Sequence, residues 1–160
     1  MIKLIPISQP DFDSFLERDI STYAEQKVRS GNWQPEEALE LSRKEHAQLL
    51  PEGRASKDQY LYTITEEGTG QKLGILWVNV KMEGSHKVAW IYDIEIDEAF
   101  RGKGYGKAAL SALDELLTGM GVENVGLHVF GYNTTAFELY KKMGYEVTNI
   151  IMRKDYPHVG

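Results

Sequence analysis

None of the 160 residues is cysteine, which excludes disulfides, thiolate metal ligation and a cysteine nucleophile. Long apolar runs are missing too. No stretch is long enough to span a bilayer, and the opening MIKLIPISQPDF lacks the extended apolar core of a signal peptide. The default expectation is a cytoplasmic protein with no membrane partner. A basic excess is also absent. Lys and Arg number 18 against 24 Asp and Glu, and the net charge of −6 argues against a nucleic-acid partner. The same charge is compatible with a cationic small substrate. There are no repeats, low-complexity tracts or linker-like segments, so 1–160 is expected to form one domain large enough for a proper core.

In this acidic chain one turn carries no acid at all. Arg101-Gly102-Lys103-Gly104-Tyr105-Gly106-Lys107 follows a strand in which Tyr92, Ile94 and Ile96 alternate with Asp93, Glu95 and Asp97. It precedes a helix carrying Leu110, Leu113 and Leu117. A strand, a glycine-rich turn and a helix start make a ready phosphate site. The first N–H groups of a helix have no intrahelical partner, the dipole adds positive potential, and glycine lets an anion approach the main chain. A P-loop fails here, because Gly106-Lys107 is followed by Ala108 and Arg101 stands where the leading glycine belongs. A dinucleotide fingerprint is met loosely by Gly104, Gly106 and Ala109, but Glu123 precedes the next strand instead of ending it. What remains is R-x-x-G-x-G as a pyrophosphate cradle, or a glycine-rich tight turn with solvated lysines.

The other elements follow from period and punctuation. A short strand over 2–7 leads to Ser8-x-x-Asp11, a capping-box shape, and then to a helical stripe of Phe12, Phe15, Leu16, Ile20 and Tyr23 reaching about Gly31. Pro35-Glu36-Glu37 starts a second helix that ends at Leu50-Pro51. Trp33, between the helices, is either a packing anchor or a pocket wall. Strands over 60–65, 73–80 and 88–96 form an antiparallel meander. A strand over 124–130 returns after the central helix, which implies parallel pairing beside the 88–96 strand. A helix over 133–142 stops at Gly144, and 145–154 is expected to form a final hairpin.

That last helix carries Asn133-x-x-Ala136-x-x-Leu139-Tyr140-x-x-x-Gly144-Tyr145. Together with the cradle at Arg101, Gly104 and Gly106, it resembles the GNAT superfamily of acetyl-CoA-dependent N-acetyltransferases. The motifs cover 88–147, and the first half agrees only in the order of its elements. The resemblance implies an α/β fold with a mixed, mostly antiparallel sheet of about six to seven strands flanked by about four helices. It implies transfer of acetyl from acetyl-CoA to a primary amine, small molecule or peptide, by direct attack in a ternary complex without a metal. It also allows a homodimer. A non-catalytic acyl-CoA-binding module is the rival reading.

By the same resemblance, Ile94, Glu95 and Ile96 lie along the pantetheine arm, with main-chain N–H groups available to the oxyanion. Arg101, Gly102, Lys103, Gly104, Tyr105, Gly106 and Lys107 cradle the pyrophosphate. Asn133 contacts pantetheine or acts as a helix N-cap. Tyr140 is placed near the sulfur. A phenol of pKa about 10 can share its proton with a leaving thiolate whose thiol has a pKa near 8.5. The attacking amine must lose a proton, and the candidates for base are Glu95, Asp93 and His128, or an ordered water chain. His128 stands five residues before Asn133, where some relatives carry a glutamate.

Overall fold

The computed structural model describes residues 1–158. Its sheet has five strands in sequential order: β1 (Ile2–Pro6), β2 (Gln59–Glu66), β3 (Lys72–Glu83), β4 (His86–Ile96) and β5 (Asn124–Leu127). The first four are antiparallel and β5 joins β4 in parallel, as the intervening helix requires. Four α-helices accompany them: α1 (Gln9–Arg29), α2 (Pro35–Leu49), α3 (Tyr105–Gly119) and α4 (Thr134–Lys142). No helix among the described residues is long and apolar enough to cross a membrane.

The expected six to seven strands are therefore corrected to five. β5 stops at Leu127 instead of reaching Phe130, and the final hairpin does not form. Its apolar residues Ile150, Ile151 and Met152 are exposed. A β-capable sequence becomes a strand only by sharing its N–H and C=O groups with a neighbour, and 145–158 makes no ladder.

Each helix starts where its chemistry satisfies it. Ser8 Oγ accepts from the Asp11 N–H at 3.3 Å and caps α1. The Asp11 carboxylate does not complete a capping box but pairs with Lys72 on β3 at 2.7 Å. α2 relies on Pro35 at its start and on Glu36 and Glu37 against the dipole, with no side-chain cap.

The sheet buries both faces. On one side α3 delivers Ala109, Leu110, Leu113 and Leu117 against Leu76, Val78, Val80, Ala89 and Ile91. On the other, Phe12 and Phe15 of α1 pack with Ile7, Leu61, Ile75 and Trp77. Full burial of one such side chain contributes roughly 1.5–3 kcal/mol. Trp77 is buried with its indole N–H donated to Gln59 Oε1 at 2.7 Å, so its polar atom costs nothing. α2 adds little apolar surface. Its buried stripe is Ala38, Ser42 and His46, and it clips to α1 when Ser42 Oγ donates to the Ile20 carbonyl at 2.7 Å.

Candidate active site

β4 carries an irregularity that determines the site. Trp77 pairs with Asp93 but the next residue, Val78, pairs with Ile91, so Tyr92 is an extra residue, a β-bulge. Simple alternation would put Tyr92 with Ile94 and Ile96. The bulge resets parity. Ile91, Ile94 and Ile96 join the α3-side core, while Tyr92 packs on Trp77, ring centroids 4.7 Å apart, on the α1–α2 side. Asp93 and Glu95 share that side, with Tyr92 beside them instead of opposite. The ladder to β5 also ends at Ile91, which leaves the β5-facing edge of β4 without a strand partner over 92–96. Gly74 lets β3 press against this segment, since a Cβ there would collide with the Glu95 carbonyl.

Beyond β4 the chain turns through 98–100 into the cradle. Gly102 and Gly104 adopt φ of +76° and +84°, the left-handed region that glycine alone enters freely. Gly104 is the N-cap of α3 and supplies no side-chain acceptor, so the first N–H groups of the helix are not capped from within. A Cβ at either glycine would point into open space, and Arg101, Lys103 and Lys107 are exposed and make no ion pair among the described residues. Arg101 is part of the turn itself, its Nε donating to the Ile96 carbonyl at 2.8 Å. Tyr105 points elsewhere: its hydroxyl donates to Glu66 at 2.8 Å and ties α3 to β2. Uncapped donors, open space and three cations fit a polyanion such as the CoA pyrophosphate. A Cβ on Gly106 would lie 3.4 Å from Leu139 of α4 and 4.0 Å from Ile96, so cradle, strand end and α4 converge there.

Carboxyl oxygens of Asp19, Asp93 and Glu95 lie within 4.8 Å of one another. Glu95 accepts from Arg18 at 2.7 Å. Asp19 meets His46 Nε2 at 2.8 Å, and His46 Nδ1 reaches the Ser42 carbonyl at the same distance. A carbonyl can only accept, so Nδ1 carries a proton. Burial disfavours charge on His46, but its bonds to Asp19 and Ser42 outweigh this and raise its pKa. Asp93 has no cation of its own. Burial, followed by the charges of Asp19 and Glu95, pushes its carboxyl well above the ordinary range, and its Oδ2 has no hydrogen-bond partner among the described residues. A proton on Asp93 resolves both facts, because a carboxylic acid can donate to a neighbouring carboxylate. Arg18, the His46 ring and the proton on Asp93 then each answer one of the three carboxyls.

Tyr140 of α4 feels the charge of this cluster. Burial and then the Asp93 charge push its phenol up to about 12. Asn133 is the N-cap of α4, its Oδ1 accepting from the Ala136 N–H at 3.2 Å. Among the described residues, His128 is not one of the carboxyl cluster's hydrogen-bond partners. Its ring packs edge-on to Phe130 at 4.8 Å, and burial, then Lys27, lower its pKa. Trp33 packs edge-on against Tyr23, 5.6 Å between centroids, under Lys27. Sequence reasoning missed Arg18, Asp19 and His46. The available signal was the repeat of Ser42 and His46 at the buried spacing of α2, where polar residues need a reason.

A cavity of about 350 Å³ opens between α1, α2 and the sheet, lined by Asp19, Tyr23, Glu45, His46, Trp77 and Tyr92 among others. Asp19 is common to this cavity and the carboxyl cluster.

Comparison with known proteins accords with this geometry. The sequence matches the Acetyltransferase (GNAT) family over residues 21–145. It is 40% identical over 148 residues to the uncharacterized N-acetyltransferase YdgE of Bacillus subtilis (strain 168), covering 92% of this chain and 94% of that one. It is 38% identical over 153 residues to YycN of the same organism, covering 96% and 97%. The crystal structure of YycN superposes with a TM-score of 0.94 over 99% of this chain and 100% of that one. The chain belongs to the GNAT acetyltransferase family.

Proposed function

We propose that the chain is an acetyl-CoA-dependent N-acetyltransferase acting on a primary amine by direct attack in a ternary complex. The observation that carries the reading is that three features lie along β4 and the elements next to it: an uncapped glycine cradle, an unpaired strand edge, and a half-buried carboxyl cluster whose Asp93 charge is felt by Tyr140. Acetyl-CoA, when bound, supplies an activated acetyl thioester and a thiolate leaving group. The N–H groups of α3, with Lys103 and Lys107, hold its pyrophosphate. The open edge of β4 over 92–96 offers main-chain donors to the arm and to the acetyl carbonyl oxygen, where negative charge develops on attack. Asn133 keeps α4 in place by capping it, and so holds Tyr140 in position.

Tyr140 retains its proton at neutral pH, its pKa being raised, and can share it with the departing sulfur. Asp93 takes the amine's proton in molecules where its own proton has first passed to solvent, a fraction that grows as pH rises toward its raised pKa. A carboxyl with a raised pKa is a stronger base than an ordinary one, which suits an amine of pKa near 10. Glu95 and Asp19 hold the amine nearby, and His128 has no part in the step.

The test is thiol release from acetyl-CoA across a panel of amines. Amine-dependent release is expected. Tight acetyl-CoA binding with no turnover on any amine would favour a non-catalytic acyl-CoA-binding module instead.

A further inference from the structure

The cavity between α1, α2 and the sheet has an unusual wall chemistry. Tyr23, His46, Trp77 and Tyr92 form a continuous run of rings, with centroids 5.8, 6.1 and 4.7 Å apart from each to the next. Two carboxylates enter it, Asp19 from α1 and Glu45 from α2. Against them stands one basic side chain, His46, already engaged by Asp19. The lining therefore carries a net negative charge on an aromatic surface. Lys27 lies outside it, against Tyr23 and Trp33 at 5.7 and 5.1 Å, so the chain already packs a cation on these rings. The volume of about 350 Å³ is near the lower end for ligand sites, which run from about 300 to 1,000 Å³.

Resting on the transferase reading above, we infer that this cavity is the acceptor site and that its acceptor is a slender alkylammonium. The ammonium head lies between Asp19 and the Tyr92 ring, next to Asp93, and an apolar stem runs on between the other aromatic walls. Each wall excludes something. A polyhydroxylated amine would lose hydration without enough polar partners among the rings. An amino acid would bring its carboxylate against Asp19 and Glu45, and His46, the one basic side chain named in the lining, already meets Asp19. A neutral alcohol of the same shape would gain burial but no attraction to the ring faces or acids. Asp19 provides the handover, because it lines the cavity and belongs to the cluster that holds the proton acceptor.

Calorimetric titration without acetyl-CoA tests binding independently of turnover, using n-pentylamine, n-pentanol and 5-aminopentanoate. The amine should bind at least about tenfold more tightly than either of the others. Tyr92→Leu should weaken amine binding by about 2- to 30-fold, the range of a ring–cation contact, while Tyr92→Phe, which keeps the ring, should not. Glu45→Gln should weaken the amine but not the alcohol. Equal affinity for amine and alcohol, or an unchanged affinity in both Tyr92→Leu and Glu45→Gln, overturns the assignment. Amine binding as described but without acetyl transfer would instead overturn the transferase reading alone. Transfer to pentylamine that ignores both substitutions would leave the transferase standing and move the acceptor elsewhere.

Discussion

Asp93 carries opposite demands from folding and from chemistry. A carboxyl whose folded pKa is raised binds its proton more tightly folded than unfolded. Its contribution to stability is full below the ordinary value of 3.8 and is lost as pH rises through the raised pKa. Asp93→Asn keeps the shape without the charge. Below pH 3.8 it should match the wild type in thermal unfolding, and above the raised pKa it should be the more stable of the two. Its acetyl transfer should fall, and the rise of kcat/KM with pH that titrates Asp93 should disappear. A variant that is both less stable at high pH and fully active would show that Asp93 is neither buried as an acid nor used as a base. Tyr140→Phe separates the same functions differently. It removes one oxygen, keeps the ring against Tyr145 at 5.6 Å, and should leave acetyl-CoA affinity unchanged. General acid help is typically about 10²- to 10⁴-fold, so kcat should fall toward that range, and less for thioesters with better leaving groups. Full kcat with every thioester, where chemistry limits the rate, would make Tyr140 a packing residue.

At the scale of elements, the cradle rests on backbone geometry more than on charge. Gly104→Val places a β-branched residue at φ +84°, in the way of an anion, whereas Gly106→Val crowds Leu139, the residue before Tyr140. Both should abolish acetyl-CoA binding, and Gly106→Val should also disturb α4. Circular dichroism on the same samples separates lost binding from lost fold, and unchanged CoA affinity in both would put the pyrophosphate elsewhere. The cradle was legible in the sequence because its glycines, its cations and the helix after it are contiguous. The helix and strand order was legible for the same reason, each element being set by its own period and caps. The bulge at Tyr92 was not. Alternation predicts Tyr92 on the face of Ile94, and only the pairing with β3 reveals the extra residue that moves it beside Asp93. Arg18 and His46 were invisible for a related reason: they act on residues 77 and 27 positions away, on other elements. The tail failed in the opposite sense, since Ile150 and Ile151 carry strand propensity but no partner that would make it a strand.

Taken whole, the molecule is a sheet with one face committed to stability and the other divided. The α3 face is an apolar core, whereas the α1–α2 face gives part of its area to a cavity and a half-buried carboxyl cluster. A ligand that binds the folded chain and not the unfolded one stabilises it by mass action, so ligands should stabilise this chain measurably. Acetyl-CoA at about a hundred times its dissociation constant should add roughly 2.7 kcal/mol. For a chain of this size each kcal/mol moves Tm by about 2–4 °C, so a rise of roughly 5–11 °C is expected. NAD and ATP share the pyrophosphate but not the pantetheine arm, and should lose whatever the open edge of β4 contributes. Their shifts should be much smaller at equal concentration. A shift with NAD equal to that with acetyl-CoA would mean that the cradle alone does the binding, and the strand edge over 92–96 would then have no ligand to explain it. Repeating the scan with Gly104→Val closes the argument. That variant should lose the acetyl-CoA shift while keeping any shift from n-pentylamine, because the amine binds across the sheet from the cradle.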